Sequence, residues 1–440
     1  MKTTYEEIYK KKVRTAEDAA RIVRDGDEIE MGFGTVFPVD FDRALAARAE
    51  ELHHVSVRNG VLFDRSRVLA QGAPFEWQSW HGTGDVRRAF DKGIACHIPV
   101  RYSELIRYVT ENRNTDVLAI SVAPMDAHGY FNFGLDGSHF LRQAQRAKTV
   151  IVEVNEKQPR VFGRGESEIP IEQVDVIIEG KPHDMAALAN RPYGDLDRKI
   201  AERVVERMED GSTLQLGIGA LPNAIGDVIA GSSLKDLGVH TELYVDSFMK
   251  MTLAGKVTGM EKSLDRGRQV SAFLAGTEAL YDFVNENPEI QVAPVDYVNS
   301  AAIIAAQHKM VSINTAIQVN LRGEVSSESV GARQISGSGG QFDFAVGSYA
   351  APGGKGFICL RSSRVDKAGV RHSNIVPDFS AGTIVTMPAS TTHYVVTEYG
   401  ICNLKGKSQY ERARALVSIA HPDFREALTK AAVEKGFWRE

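Results

Sequence analysis

The segment Asp25-Gly26-Asp27-Glu28-Ile29-Glu30-Met31-Gly32-Phe33-Gly34 returns as Asp210-Gly211-Ser212-Thr213-Leu214-Gln215-Leu216-Gly217-Ile218-Gly219. Both read D-G-x-x-φ-x-φ-G-φ-G, with φ apolar, about 185 residues apart. A helical pattern precedes each copy; in the second, Ile200, Val204 and Met208 recur every four residues between charges. A proline, Pro38 or Pro222, and another helical stretch follow. Two further blocks keep the order. His54-Val55-Ser56-Val57 lies against His240-Thr241-Glu242-Leu243, and the run from Val122 to Gly134 against that from Ala316 to Glu328, each with a turn glycine, Gly129 or Gly323. DG and GxG are common by chance, but three blocks in one order point to a tandem duplication.

Each copy alternates short apolar runs with amphipathic helices. Thr149 to Val154, Phe357 to Leu360, Tyr394 to Thr397 and Val174 to Ile178 read as strands buried on both faces of a parallel sheet. Ser408 to Ile419 and Asp423 to Val433 read as closing helices. The stretch from Gly180 to Leu196 is polar, holds Pro182 and Pro192, and suits a linker. The expected fold class is α/β: two tandem homologous α/β domains with mainly parallel sheets, over residues 1–190 and 197–440, the second opening with a helix from Asp197.

The 440 residues suit two or three domains, at roughly 150 residues each. With 43% hydrophobic and 25% charged residues, disorder is excluded as the main state. A net charge of −5 argues against nucleic acid or an anionic membrane as partner. Cys96, Cys359 and Cys402 form no disulfide framework and no CxxC pair. The first residues carry no apolar signal core, and no run approaches the roughly 18 apolar residues of a membrane span. The expected location is the cytoplasm.

Chemistry has few places to reside. Gly217-Ile218-Gly219-Ala220-Leu221-Pro222 follows a strand and opens a helix, where free backbone N–H groups stabilise a phosphate or an oxyanion. A plain tight turn explains it equally well. It is no dinucleotide fingerprint, because Pro222 stands where the third glycine belongs. Ser336-Gly337-Ser338-Gly339-Gly340 precedes an aromatic run and suits a ligand loop. Lys355, in Gly353-Gly354-Lys355-Gly356, could face a phosphate or end a solvated hairpin. No GxSxG, no HExxH and no zinc spacing occurs, so a serine hydrolase and a metal site are not expected. Cys96-His97 lies in a strand-like run and reads as core. Glu242 remains. It falls in an apolar run, Val239 to Val245, with no cationic neighbour in sequence, while Ser56 stands opposite it in the first copy. A buried carboxylate needs a reason, although an exposed edge is the alternative. A glutamate of ordinary pKa is ionised at pH 7 and attacks a thioester without a base.

The motifs Gln215 to Ala224, Gly238 to Glu242, Ser336 to Phe344, Val395 to Gly400 and Ile419 to Arg425 together resemble the class I coenzyme A transferases, in their acetyl-CoA hydrolase/transferase branch. The stretch from Tyr244 to Gly267 resembles the butyryl-CoA:acetate group more than the 4-hydroxybutyrate group. The resemblance implies a ping-pong transfer of CoA from a short-chain acyl-CoA to a carboxylate such as acetate, through a glutamyl-CoA thioester on Glu242. It implies oxyanion donors at the Ile218 and Gly340 amides, and Asn299, Gln215 and Glu398 around the carboxylate. It implies CoA contacts at Gly217, Ile218, Gly219, Ala220, Leu221, Ile317, Gly339, Gly340 and Ser363. No tightly bound cofactor is expected, CoA being substrate and covalent intermediate, and a homodimer or larger assembly is. Pro38, Val39 and Phe41 stand where relatives often have small residues or His-Ala, and Phe33 and Phe37 crowd the same region, which bears on acyl preference. Other short-chain acids, hydrolysis with water as acceptor, and a non-catalytic CoA or sugar-phosphate sensor are the competing readings. A nucleotide-dependent oxidoreductase is disfavoured by the missing third glycine.

Overall fold

The computed structural model describes residues 4–438. The chain divides into two compact units: 1–189 with 270–298, and 190–269 with 299–440. The sequence-based division left 270–298 with the second domain. That segment groups with the first unit, where the Leu274 and Val295 N–H groups donate to the Leu135 and Ser138 carbonyls at 2.8 and 2.9 Å. Linker residues are held in the same unit, Leu188 N–H by the Gly276 carbonyl and the Ala186 carbonyl by the Tyr281 hydroxyl.

The main sheet of the first unit has eight strands: β1 (Val13–Arg14), β2 (Glu28–Met31), β3 (Val55–Arg58), β4 (Phe75–Ser79), β5 (Ala95–His97), β6 (Val117–Val122), β7 (Thr149–Val154) and β8 (Val176–Glu179). They run β1-β8-β7-β6-β2-β3-β4-β5, every pair parallel. Every residue of β6 is buried, as the unbroken apolar run requires.

In the second unit, β9 (Thr213–Leu216), β10 (Gly238–Tyr244), β11 (Met310–Thr315), β12 (Lys355–Cys359), β13 (Tyr394–Thr397) and β14 (Gly400–Asn403) run β10-β9-β11-β12-β13-β14. Only the last pair is antiparallel among the pairings described. The order β3-β2-β6-β7-β8 is therefore repeated as β10-β9-β11-β12-β13, which is what a duplication demands. The turn glycines keep the same geometry in both copies, Gly129 and Gly323 each at φ +85°.

The register corrects one alignment. Glu28 pairs with Ser56, whereas its counterpart Thr213 pairs with Gly238. Ser56 thus matches Gly238, and Gly60 is the residue that matches Glu242. The sequence alignment slipped by four residues, an even number, so the apolar alternation looked equally good.

Elements expected from sequence form with small shifts at their ends. The helix expected from Asp197 is α2 (Asp195–Val205), after α1 (Val39–Ala46); Met208 lies past its end but is buried like Ile200 and Val204. The closing helices are Gln409–Ser418, capped by Ser408, and Pro422–Glu434. Cys96 is exposed rather than core. Among the described residues no helix is long and apolar enough to cross a membrane.

Candidate active site

Every residue singled out around Glu242 belongs to the second unit. Glu242 lies on β10, two residues before its end. Carried on by the same count, the β9–β10 register sets Gly217 level with Glu242. The Thr241 hydroxyl donates to the Leu216 carbonyl at 3.4 Å, tying the strand to the start of the glycine turn.

The carboxylate is held from two sides. Asn299 Nδ2 donates to Oε2 at 2.7 Å, and the Gly340 N–H also bonds the carboxylate. Gly340 caps α4 (Gln341–Ala350), the α3 helix (Ala220–Ala230) lying between α2 and it in the chain. A Cβ on Gly340 would stand 2.1 Å from Asn299 Nδ2 and 2.2 Å from Glu242 Oε2, so glycine is required there for closeness. Gly339 is required for a different reason, its φ of +51°. Part of Glu242 meets solvent, yet protein crowds the carboxylate. Burial pushes its pKa up to about 7; the Asn299 bond opposes this, the charge of Asp343 reinforces it, and the Gly340 bond opposes it. Burial thereby works against the expected fully ionised glutamate at pH 7.

The glycine turn presents donors. Ile218 is 45% exposed, and among the described residues no acceptor takes its N–H or that of Gly219. Gly219 adopts φ +118° and caps α3, so Ala220 and Leu221 supply the free N–H groups of the first helical turn. A Cβ on Gly217 or Gly219 would meet nothing within 4 Å, which is open approach rather than tight packing. Pro222 is the third helical residue here, whereas Pro38 caps α1 from outside.

The other expected residues make bonds of their own within the unit. Gln215 does not reach Glu242; its amide exchanges two hydrogen bonds with Asn314 on β11, at 3.1 and 3.4 Å. The buried Glu398 accepts the Ser362 N–H at 2.9 Å and hydroxyl at 2.5 Å, so it braces the turn after β12. Ser363 is buried beside that turn and accepts from Arg371. The Ile317 N–H is already committed to the Ser326 carbonyl, leaving its side chain for contact. Lys355 pairs with Glu209 at 2.7 Å and is not a free phosphate ligand. Sequence reasoning passed over Asp343, although it sits in the Ser336 to Phe344 motif; its signal was an acid in the first turn after a glycine loop.

The first unit shows why one copy alone carries the acid. A Cβ on Gly60 would lie 2.2 Å from the Trp80 indole, so tryptophan fills the space that a side chain like that of Glu242 needs. Phe33, the counterpart of the exposed Ile218, is buried and stacks on Tyr102 at 5.6 Å. Phe37 and Phe41 are likewise core residues of that unit. The N-terminus of α1 is occupied by the chain itself: Glu153 accepts the Asp40 and Phe41 N–H groups at 3.0 and 2.8 Å. By register the counterpart of Glu153 is Cys359, a buried thiol with no charge to offer.

Comparisons with known proteins identify the family. Residues 1–188 match the acetyl-CoA hydrolase/transferase N-terminal domain and residues 276–432 the C-terminal domain of that family. The chain is 45% identical to butyryl-CoA:acetate CoA-transferase of Anaerostipes caccae, over 99% of both chains. It is 42% identical to a probable butyrate:acetyl-CoA coenzyme A-transferase of Syntrophomonas wolfei, over 99% of this chain and 98% of that one. Among solved structures, RipA from Yersinia pestis superposes with a TM-score of 0.92 at 34% identity, covering 99% of this chain and 100% of that one. 4-Hydroxybutyrate CoA-transferase from Porphyromonas gingivalis gives 0.80 at 30%, over 98% and 100%. The chain belongs to the acetyl-CoA hydrolase/transferase family.

Proposed function

We propose that the protein moves coenzyme A from a short-chain acyl-CoA, butyryl-CoA for preference, to a carboxylate such as acetate, through a glutamyl-CoA thioester on Glu242. The observation that carries the reading is the desolvated Glu242 carboxylate, held at Oε2 by Asn299 and met by the Gly340 amide. The full-length similarity to a butyryl-CoA:acetate CoA-transferase supports the acyl pair.

In this reading Oε1 of ionised Glu242 attacks the acyl carbonyl, and the C–S bond breaks to give a mixed anhydride and CoA thiolate. The thiolate attacks the glutamyl carbonyl and expels the free acid, leaving glutamyl-CoA. An incoming carboxylate reverses both steps. No general base is needed, because the nucleophile is an anion. Each tetrahedral intermediate gathers charge on one oxygen. The Ile218 and Gly340 amides suit that charge, each such donor being worth about 3 kcal/mol. With Oε2 anchored by Asn299, the glutamyl carbonyl oxygen develops its charge where a donor already stands.

The test is intact mass spectrometry after mixing with butyryl-CoA and no acceptor. A CoA adduct on the Glu242 peptide is expected. Glu242→Ala should lose the adduct and all transfer while keeping its fold, and Glu242→Asp should lose about a hundredfold, since a displacement of about 1 Å costs that much. Free CoA without adduct would favour hydrolysis. Substantial transfer by Glu242→Ala would overturn the nucleophile.

A further inference from the structure

The chemistry above needs the Gly340 amide at a set distance from Glu242, yet Gly340 ends a run, Ser336 to Gly340, with no strand or helix of its own. Its anchor is Glu328, a buried acid between the short strands Val325–Ser326 and Ser329–Val330. The Glu328 carbonyl accepts the N–H groups of Ile335 and Ser336 at 2.7 and 3.1 Å. Its carboxylate accepts the Ser338 hydroxyl at 3.1 Å and is also hydrogen-bonded by the Thr386 side chain. Thr386 in turn accepts the Ser327 N–H at 2.9 Å, closing the network onto the same turn. One residue thus grips the loop at three points, with both main chain and side chain, and the last grip lies two residues before the catalytic amide.

Burial works against a charged group at this position, raising its pKa, and only hydrogen bonds are set against it. An apolar residue would fill the space without that cost but could not hold Ser338. The glycines around Ser338 make the anchor more necessary, because glycine-rich chain holds no shape unaided.

We propose that Glu328 is a positioning residue: through Ser338 it fixes the loop that presents the Gly340 amide to Glu242, and it touches no reacting atom. The proposal rests on the role given above to Gly340. Glu328→Gln keeps an acceptor of the same shape, whereas Glu328→Ala removes it.

The experiment uses the full chain with Glu328→Ala, Glu328→Gln, Ser338→Ala and the Glu328→Ala/Ser338→Ala double variant. It reads amide hydrogen exchange over 335–340 together with kcat and KM for butyryl-CoA. Glu328→Ala should speed exchange in 335–340 but not in α2. It should lower kcat by about tenfold or more, a fraction of the hundredfold or greater loss that follows removal of an oxyanion donor. KM should change by less than about threefold, and Glu328→Gln should recover most of kcat. Ser338→Ala should change nothing further in the alanine background, because one hydrogen bond cannot be lost twice. Unchanged exchange overturns the anchor assignment. Equal loss in the Gln and Ala variants overturns it too, since shape and acceptor would then not matter. A loosened loop with kcat intact overturns the catalytic part and places the fault in the role of Gly340. Should Glu328→Ala fail to fold, Ser338→Ala alone decides: normal exchange in that variant overturns the proposal.

Discussion

Gly340→Ala tests the site at its narrowest point. The backbone of Gly340, at φ −103° and ψ 9°, is open to alanine, so the substitution adds one methyl group without backbone strain. That methyl would begin 2.1 Å from Asn299 Nδ2 and 2.2 Å from Glu242 Oε2. Ordinary contacts begin near 3.4 Å, so the loop or the two side chains must give way by more than about 1 Å. A displacement of that size costs about a hundredfold in an oriented reaction, and a lost oxyanion donor costs about 10²–10³. We expect kcat to fall by a hundredfold to a thousandfold in an assay following acetyl-CoA formation from butyryl-CoA and acetate. Overpacking of this kind costs about 1–3 kcal/mol, so thermal unfolding should show a folded protein. A folded variant with kcat within twofold of the parent would refute the reasoning, because the methyl group would have found room that the structure does not show.

With the Glu242 carboxyl at about 7 by burial, kcat/KM should rise about tenfold per pH unit below 7 and level off above it; a flat profile from pH 5.5 to 8 would count against the assignment. The same shift ties stability to pH. The native state holds this proton more tightly than the unfolded chain, so the contribution is full below about pH 4.5 and is lost as pH rises through 7. Glu242→Gln should therefore flatten the denaturation midpoint across that window. Asp197 accepts both Arg361 donors, at 2.9 and 2.6 Å, and the Gly194 N–H at 3.1 Å. Asp197→Ala should cost about 0.5–2 kcal/mol in urea unfolding, chiefly through the lost bond to the N-cap N–H, because Arg361 is half exposed and its pairing is screened. A loss below about 0.3 kcal/mol would show that the cap is idle.

Much of the architecture is legible in local sequence because its causes are local. Buried parallel strands announce themselves as apolar runs, and β7 and β13 coincide with theirs to the residue. Glycines at φ > 0 mark the turns of both copies. The repeat predicts that the two copies share one strand order, since two copies of one pattern fold alike, but not what that order is. The middle block misleads because a slip of four residues preserves which face is buried, and only hydrogen-bond register distinguishes Ser56 from Gly60. The chain boundary at 270–298 is invisible for the same reason: its backbone partners near Leu135 and Ser138 lie far away in sequence.

From its sequence alone this protein is a duplicated α/β chain with two glycine turns, a lone acid in an apolar strand and a family resemblance carried by five motifs. The duplication, the turns and the acid live in composition, period and spacing, and the resemblance in the motif residues themselves; none of these needs a third dimension. Tertiary structure decides the rest. It sets Asn299 and Gly340 against Glu242 across 57 and more positions of chain, and burial there moves the carboxyl to about 7. It turns Gln215 to Asn314 and Glu398 to Ser362, and it fills the first copy's site with Trp80 and Glu153. The physical reason is that desolvation and hydrogen-bond geometry depend on which groups are neighbours in space, and neighbours in space are what the packed sheets, not the order of residues, bring together.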